Sequence, residues 1–96
     1  GYPVYLFGST FETLRVAGRN LSATIPGLQI AGIMAPPQNF DVASPMSDEA
    51  IAIIGQSGAR ICLVALGAPR QELFSARAVD KTAGMAFLGI GASLDF

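Results

Sequence analysis

The sequence predicts a three-layer α/β fold in which a four-stranded, mainly parallel sheet is built in βαβαβαβ order. Three observations carry this prediction. Four short apolar runs lack polar alternation, which is typical of strands covered on both faces. A segment with helical spacing or a helix start signal follows each of the first three runs. Glycine or proline separates these segments, so strands and helices alternate as they do in parallel sheets with right-handed crossovers.

The first strand is predicted at residues 4–7, a short apolar run that ends at Gly8. Ser9 and Glu12 then have the spacing of a capping box, in which the Glu answers the hydroxyl three residues earlier. The helix that follows should end near residues 26–27, a Pro-Gly pair. Its predicted buried stripe, at intervals of three or four residues, consists of Phe11, Leu14, Gly18 and Leu21.

The second strand is predicted at residues 28–34, because the prolines at 36–37 cannot donate to a sheet and keep the preceding residue extended. A turn through residues 38–41 follows. Ser47 precedes two acidic residues and is the predicted cap of a short second helix. The predicted buried side of that helix is formed by three isoleucines, Ile51, Ile53 and Ile54.

The third strand is predicted at residues 60–66, which contain the continuous apolar run ICLVAL. The third helix should run from about residue 69 to 79, since Pro69 fits the first helical turn, where its missing N–H is no loss. The fourth strand is predicted at residues 85–90. Together these units predict a Rossmann-like fold.

Composition bounds the class of protein. Hydrophobic residues make up 51% of the chain and charged residues 14%, so it can bury enough surface to fold. We expect residues 1–96 to form a single domain. No apolar run reaches the roughly 18 to 20 residues that span a bilayer, and no signal peptide opens the chain, so a cytoplasmic location is expected.

Several kinds of chemistry are disfavoured by the residue types. The six Lys and Arg residues are scattered and the net charge is −1, so nucleic acid is not an expected partner. Histidine is absent and Cys62 is the single cysteine, which excludes Cys-rich zinc sites and Ser-His-Asp or Cys-His catalysis within this sequence. Neither a metal nor a cofactor is expected. Cys62 lies in an apolar run and is interpreted as a small buried hydrophobe.

The turns after the strands are the candidate binding site, because ligands of parallel sheets bind beyond the carboxyl ends of the strands. Two of these turns lead into helix starts, where backbone N–H groups attract anions. Turn and cap chemistry explains some of the same residues, so both interpretations stay open. The candidate binding residues are Gly8, Ser9, Thr10, Pro37, Phe40, Gly67, Pro69, Arg70, Gln71, Glu72, Gly89, Gly91 and Asp95.

A nicotinamide dinucleotide site is disfavoured. The first strand ends in Gly-Ser-Thr rather than in a glycine fingerprint. The pair Gly89 and Gly91 follows the last strand and lacks the third glycine of that fingerprint. An oxidoreductase therefore has only the layer pattern in its favour.

Two segments resemble the paired signature of the WecG/TagA/CpsF glycosyltransferases. They are VALGAPRQELF at residues 64–74 and FLGIGASLDF at residues 87–96. The first strand and its turn, the strand after Pro26 and the Pro-Pro turn match in the same order, so the resemblance extends over almost the whole chain. The chain departs from the family pattern at Ser9, where a second glycine is common, and at Leu94, where an aromatic residue is usual.

The resemblance implies a function. Such enzymes transfer an N-acetylmannosamine-type sugar from UDP, with inversion, to a polyprenyl-diphosphate-linked N-acetylglucosamine at the inner face of the cell membrane. By this resemblance, residues 67–72 would line the donor site, and Gly89, Gly91 and Asp95 would close it. The presumed catalytic base and the membrane-associating tail would lie outside this sequence. The alternative is a non-catalytic Rossmann-like module for nucleotide binding or association, and homo-oligomers are possible for either.

Overall fold

The structure, a computed structural model, describes residues 2–82 and 84–90. Within those residues strands and helices alternate as predicted. They are β1 Tyr2–Gly8, α1 Phe11–Thr24, β2 Leu28–Met34, α2 Pro45–Gln56, β3 Ile61–Ala65, α3 Arg70–Val79 and β4 Ala86–Gly89. The predicted strands agree with the observed ones to within two residues at each end, and the predicted third helix begins one residue early.

The four strands form one parallel sheet in the order β2-β1-β3-β4. This arrangement confirms the predicted Rossmann-like α/β fold. β1 is central and buried from Val4 onward, whereas β2 and β4 lie at the edges. The register between β1 and β2 shifts after Val4, so one extra residue of β2 is accommodated there.

Helices cover the two faces of the sheet unequally. α1 packs on β1 and β2 through a small cluster whose buried members are Val4, Leu6, Leu14, Ala17 and Leu21. α2 and α3 cover the opposite face through a larger cluster that includes Phe7, Phe40, Ile51, Ile54, Cys62, Val64 and Phe74. Leu88 of β4 pairs in register with Leu63 on the α1 side and remains 52% exposed. Among the described residues, coverage of both faces, as predicted, is therefore realised at β1, whereas Leu88 of β4 stays exposed.

An aromatic cluster packs on the face of the sheet that α2 and α3 cover, which we call the α2–α3 face. The Phe7 and Phe74 rings stack with their centroids 4.6 Å apart, and Phe40 meets Phe7 edge-on at 5.5 Å. Such pairs stabilise a core beyond their buried area, by about 0.5–1.5 kcal/mol each. Cys62 is fully buried in this cluster, as predicted, and burial raises the pKa of its thiol to about 12. Through its contact with Phe7, the Phe40 ring is part of the core, although the residue belongs to a turn.

The start of α1 differs from the prediction. Thr10, not Ser9, is the N-cap, and its hydroxyl accepts the Thr13 backbone N–H. Glu12 does not answer a capping residue; both of its carboxylate oxygens accept hydrogen bonds from Arg15. Phe11, the first residue of the helix, was predicted on the buried stripe but is 57% exposed, so that prediction was wrong.

α2 begins three residues earlier than the predicted cap implies. Ser44 is the N-cap and accepts the Met46 N–H, with Pro45 in the first turn. Ser47 is instead the third residue of the helix and is fully buried. Ile53 is 54% exposed, because its position points away from Ile51 and Ile54, which face the sheet. The predicted cap and one predicted core residue were therefore wrong. No helix of the described residues is long and apolar enough to cross a membrane.

Candidate functional site

The strand order creates a crevice between β1 and β3. The chain leaves β1 toward β2 on one side and later crosses to β3 on the other side. The turns after β1 and β3 therefore run in opposite directions from adjacent strands, and this divergence opens the sheet at its carboxyl edge. Ligands of open α/β sheets bind at such a switch point.

A cleft of about 240 Å³ lies at this switch point. We call it the switch-point cleft; its lining residues are Ser9, Pro36, Pro37, Gln38, Ala65, Leu66 and Arg70. Three of the predicted binding residues, one from each of the turns after β1, β2 and β3, are brought together here: Ser9, Pro37 and Arg70. Gln38 was missed as a candidate, although it lies in the turn that was predicted to reach this edge.

The turn after β1 is pressed against the end of β3. Gly8 has a φ of +117°, and a Cβ at this position would lie 2.5 Å from the Ala65 carbonyl oxygen. The Ser9 N–H donates to that same oxygen at 3.0 Å. Ser9 also has a positive φ, of +54°, which agrees with the glycine that is common at this position in the resembled family. Backbone packing thus explains Gly8, and Thr10 caps α1, while Ser9 reaches the cleft.

Arg70 is the cationic residue of the cleft. It is the first residue of α3, and its Nη2 donates to the Phe40 carbonyl at 3.1 Å. A guanidinium has five N–H donors in a planar fork, so this bond orients the group and leaves donors to bind an anion. The positive end of the α3 dipole lies at the same place, although the Gln71 N–H already donates to the Gly67 carbonyl at 2.9 Å. Together they suit a phosphate.

Phe40 serves this arrangement through its backbone. Its ring is buried among Phe7 and Phe74, so it is not a stacking platform open to the cleft. Its N–H donates to the Pro37 carbonyl at 3.0 Å, which closes the turn after β2. The aromatic core thereby fixes the carbonyl that holds Arg70.

The predicted residues of the turn after β3 have different surroundings. Gln71 is buried, and its Oε1 accepts the Gly67 N–H at 3.2 Å. Pro69 is the N-cap of α3 and is exposed, as is Glu72 in the first turn. Gly89 lies at the end of β4 beside Gln71. None of these five residues lines the switch-point cleft. Gly91 and Asp95 lie outside the described residues.

Arg70 also lines a second, larger cleft of about 420 Å³ between the turn after β2 and α3. We call it the α3 cleft; its lining residues are Phe40, Asp41, Val42, Ala43, Arg70, Leu73 and Arg77. Most of this lining is apolar. The Arg77 guanidinium, which also lines this cleft, forms a bidentate salt bridge with Asp48. The hydrogen bond from Arg77 lowers the pKa of the Asp48 carboxyl. Sequence reasoning had not singled out this cleft, since its walls lie about 30 residues apart in the chain.

A metal centre has no support in the part of the chain that the structure describes. No group of three or more Cys, Asp or Glu side chains there could hold an ion. At the switch-point cleft, the Arg70 guanidinium and the Ser9 hydroxyl are groups that could bind a phosphate.

Comparison with known proteins identifies the family of this chain. The sequence profile of the glycosyl transferase WecG/TagA/CpsF family matches residues 1–96. This match confirms the family that the segments at 64–74 and 87–96 resemble. A search of curated proteins found no match to the sequence.

Proposed function

Because the chain belongs to the glycosyl transferase WecG/TagA/CpsF family, we propose that it binds a UDP-sugar at the switch-point cleft and takes part in sugar transfer from it. The sugar would be of the N-acetylmannosamine type. The acceptor would be a polyprenyl-diphosphate-linked sugar at the inner face of the cell membrane. Membrane contact would be peripheral and made by regions outside this sequence.

The observation that carries the proposal is the position of Arg70. It lies at the amino end of α3 and on the wall of the switch-point cleft, oriented by the Phe40 carbonyl. Transfer from a nucleoside diphosphate places developing negative charge on the departing phosphate. An oriented guanidinium at the positive end of a helix dipole stabilises such charge without rearranging. Ser9, which also lines the cleft, adds a hydroxyl.

The α3 cleft supports a place for the acceptor. It shares Arg70 with the switch-point cleft, and its other walls are mainly apolar. A lipid-linked diphosphate has an anionic head and an apolar tail, so it suits a cleft with an arginine and apolar walls. Arg70 would then lie between the leaving phosphate of the donor and the acceptor.

Thermal unfolding with UDP tests donor binding. A ligand that binds only the folded state stabilises it by mass action, by about 2.7 kcal/mol at a concentration of 100 times Kd. We expect UDP to raise the Tm, and ADP at the same concentration to raise it less. Arg70→Ala should weaken UDP binding at least about 10-fold, since a charge-assisted hydrogen bond contributes about 1.5–3 kcal/mol.

The matched control is Arg19→Ala, which removes an exposed arginine of α1 and should leave UDP binding unchanged. A folded protein whose Tm does not move with millimolar UDP would contradict the proposal. UDP binding without transfer of labelled sugar to a polyprenyl-diphosphate-linked acceptor would favour the alternative of a non-catalytic binding module.

A further inference from the structure

The Gln71 side chain connects the ends of two strands. It is 8% exposed and belongs to the first turn of α3, directly after Arg70. Its Oε1 accepts the Gly67 N–H, which follows β3. Pro69, the N-cap of α3, makes no side-chain hydrogen bond. The Gln71 side chain supplies one at this turn, to the Gly67 N–H. A buried amide is held firmly, because breaking its hydrogen bonds would leave its polar atoms unpaired and away from water.

The other end of Gln71 is pressed against Gly89. A Cβ at Gly89 would lie 2.8 Å from Gln71 Nε2 and 3.0 Å from its Cδ. The amide therefore occupies the space that any other residue at 89 would need. Gly89 pairs with Val64 in register, so Gln71 spans the carboxyl ends of β3 and β4.

This contact governs the wall of the switch-point cleft. Ala65 and Leu66 line the cleft immediately before Gly67, and Arg70 lines it immediately before Gln71. Movement of Gly67 would therefore shift the cleft wall and the amino end of α3 together. Gln71 itself does not line the cleft.

We propose that Gln71 is a positioning residue for donor binding, acting through the Gly67 backbone and not by touching the ligand. The role rests on the proposed function, because the ligand it serves is the donor diphosphate. Gly89 contributes to the same role, since its missing side chain leaves room for the Gln71 amide. The two positions should therefore be coupled in their effect on ligand affinity.

A double-mutant cycle with UDP as the probe tests the coupling. Kd is measured by calorimetry for the wild type, Gln71→Ala, Gly89→Ala and the double variant, well below every Tm, so that loss of stability alone does not alter Kd. Each single change should weaken UDP about 10-fold, the equivalent of one hydrogen bond. The double variant should be no more than about 2-fold worse than the weaker single variant, because the smaller Ala at 71 leaves room for the new Cβ.

Independent contacts of Gln71 and Gly89 with UDP would instead multiply to a loss of about 100-fold, and that result would overturn the proposal. Gln71→Met is the shape-matched variant, which fills the site without an acceptor for Gly67. It should weaken UDP as much as Gln71→Ala does. Retention of wild-type affinity in Gln71→Met would also overturn the proposal.

A second measurement separates this role from the proposed function. In glycine-labelled protein, hydrogen exchange of the Gly67 amide should accelerate at least about 10-fold in Gln71→Met, whereas the Gly58 amide should not change. Unchanged exchange at Gly67 would overturn the positioning role even if UDP binds. Lack of UDP binding by the wild type would overturn the proposed function, while faster Gly67 exchange would still show the contact.

Discussion

At the scale of single residues, backbone contacts determine the candidate site as much as ligand chemistry does. Gly8 allows β1 to turn against the Ala65 carbonyl, and Ser9 then reaches the cleft with a positive φ. Phe40 contributes a carbonyl while its ring belongs to the core. The residues with polar groups on the switch-point cleft are Ser9, Gln38 and Arg70. Several glycine and aromatic candidates are thus explained by packing.

We expect Gly8→Ala to destabilise the protein by roughly 3 kcal/mol or more, because an unfavourable φ adds to a clash with backbone. Gly58→Ala is the matched control. Gly58 also has a positive φ, of +83°, but a Cβ added there would have no atom within 4 Å, so we expect about 1–2 kcal/mol. Urea unfolding of both variants measures the difference. Equal losses would show that the contact with Ala65 is unimportant.

At the scale of elements, the ends of the helices were harder to predict than their existence. Ser44 and Ser47 are both serines ahead of apolar residues, and the two acids after Ser47 favoured the second. The pair Ser44-Pro45 was the better signal, because proline fits the first helical turn directly after a capping serine. Similarly, Glu12 pairs with Arg15 one turn later and not with the preceding cap.

Ser44→Ala and Ser47→Ala should have opposite effects on unfolding. Removal of the Ser44 cap should lower the free energy of unfolding by about 1 kcal/mol. Ser47 is the third residue of α2, and its buried hydroxyl has no hydrogen-bond partner among the described residues. Alanine there should be neutral or stabilising by about 0.5 kcal/mol. Chemical denaturation of the two variants measures these changes. A larger loss of unfolding free energy in Ser47→Ala than in Ser44→Ala would contradict Ser44 as the cap.

At the scale of the whole molecule, α2 and α3 are joined across the α2–α3 face by a side-chain ion pair. Arg77 Nε and Nη2 donate to the two Asp48 oxygens at 2.9 and 3.0 Å, and Lys81 lies 3.7 Å from one of them. The hydrogen bond from Arg77 lowers the pKa of Asp48 below its ordinary value of 3.8 and raises that of Arg77. The pair also forms part of the rim of the α3 cleft through Arg77.

Asp48→Asn should lower the Tm at pH 7 by about 1–5 °C, since the pair is partly exposed. A carboxyl with a lowered folded-state pKa stabilises the fold above its unfolded pKa, and this effect is lost as pH falls through the folded pKa. The Tm difference from the wild type should therefore be constant above about pH 5 and close below the ordinary value of 3.8. A difference independent of pH would exclude the ion pair as its source. Glu12→Gln, which removes a pair within one helix, is the control.

Local patterns in the chain were sufficient to predict which elements form and in what order. Periodicity, glycine and proline act over a few residues, so the seven elements within residues 2–82 and 84–90 were predicted almost at their observed positions. The motif at residues 64–74 also indicated the family, which the profile match confirms. These are local or linear properties of the chain.

Which turns share a cleft depends instead on the assembled fold. Neighbouring strands in a sheet are chosen by long-range packing, and β1 lies between β2 and β3, so the turns after those three strands meet. The bond from Arg70 to the Phe40 carbonyl joins residues 30 positions apart, and Gln71 meets Gly89 across two strand ends. No local pattern contains such pairs, because they depend on the energy of the assembled core and not on the preference of any segment.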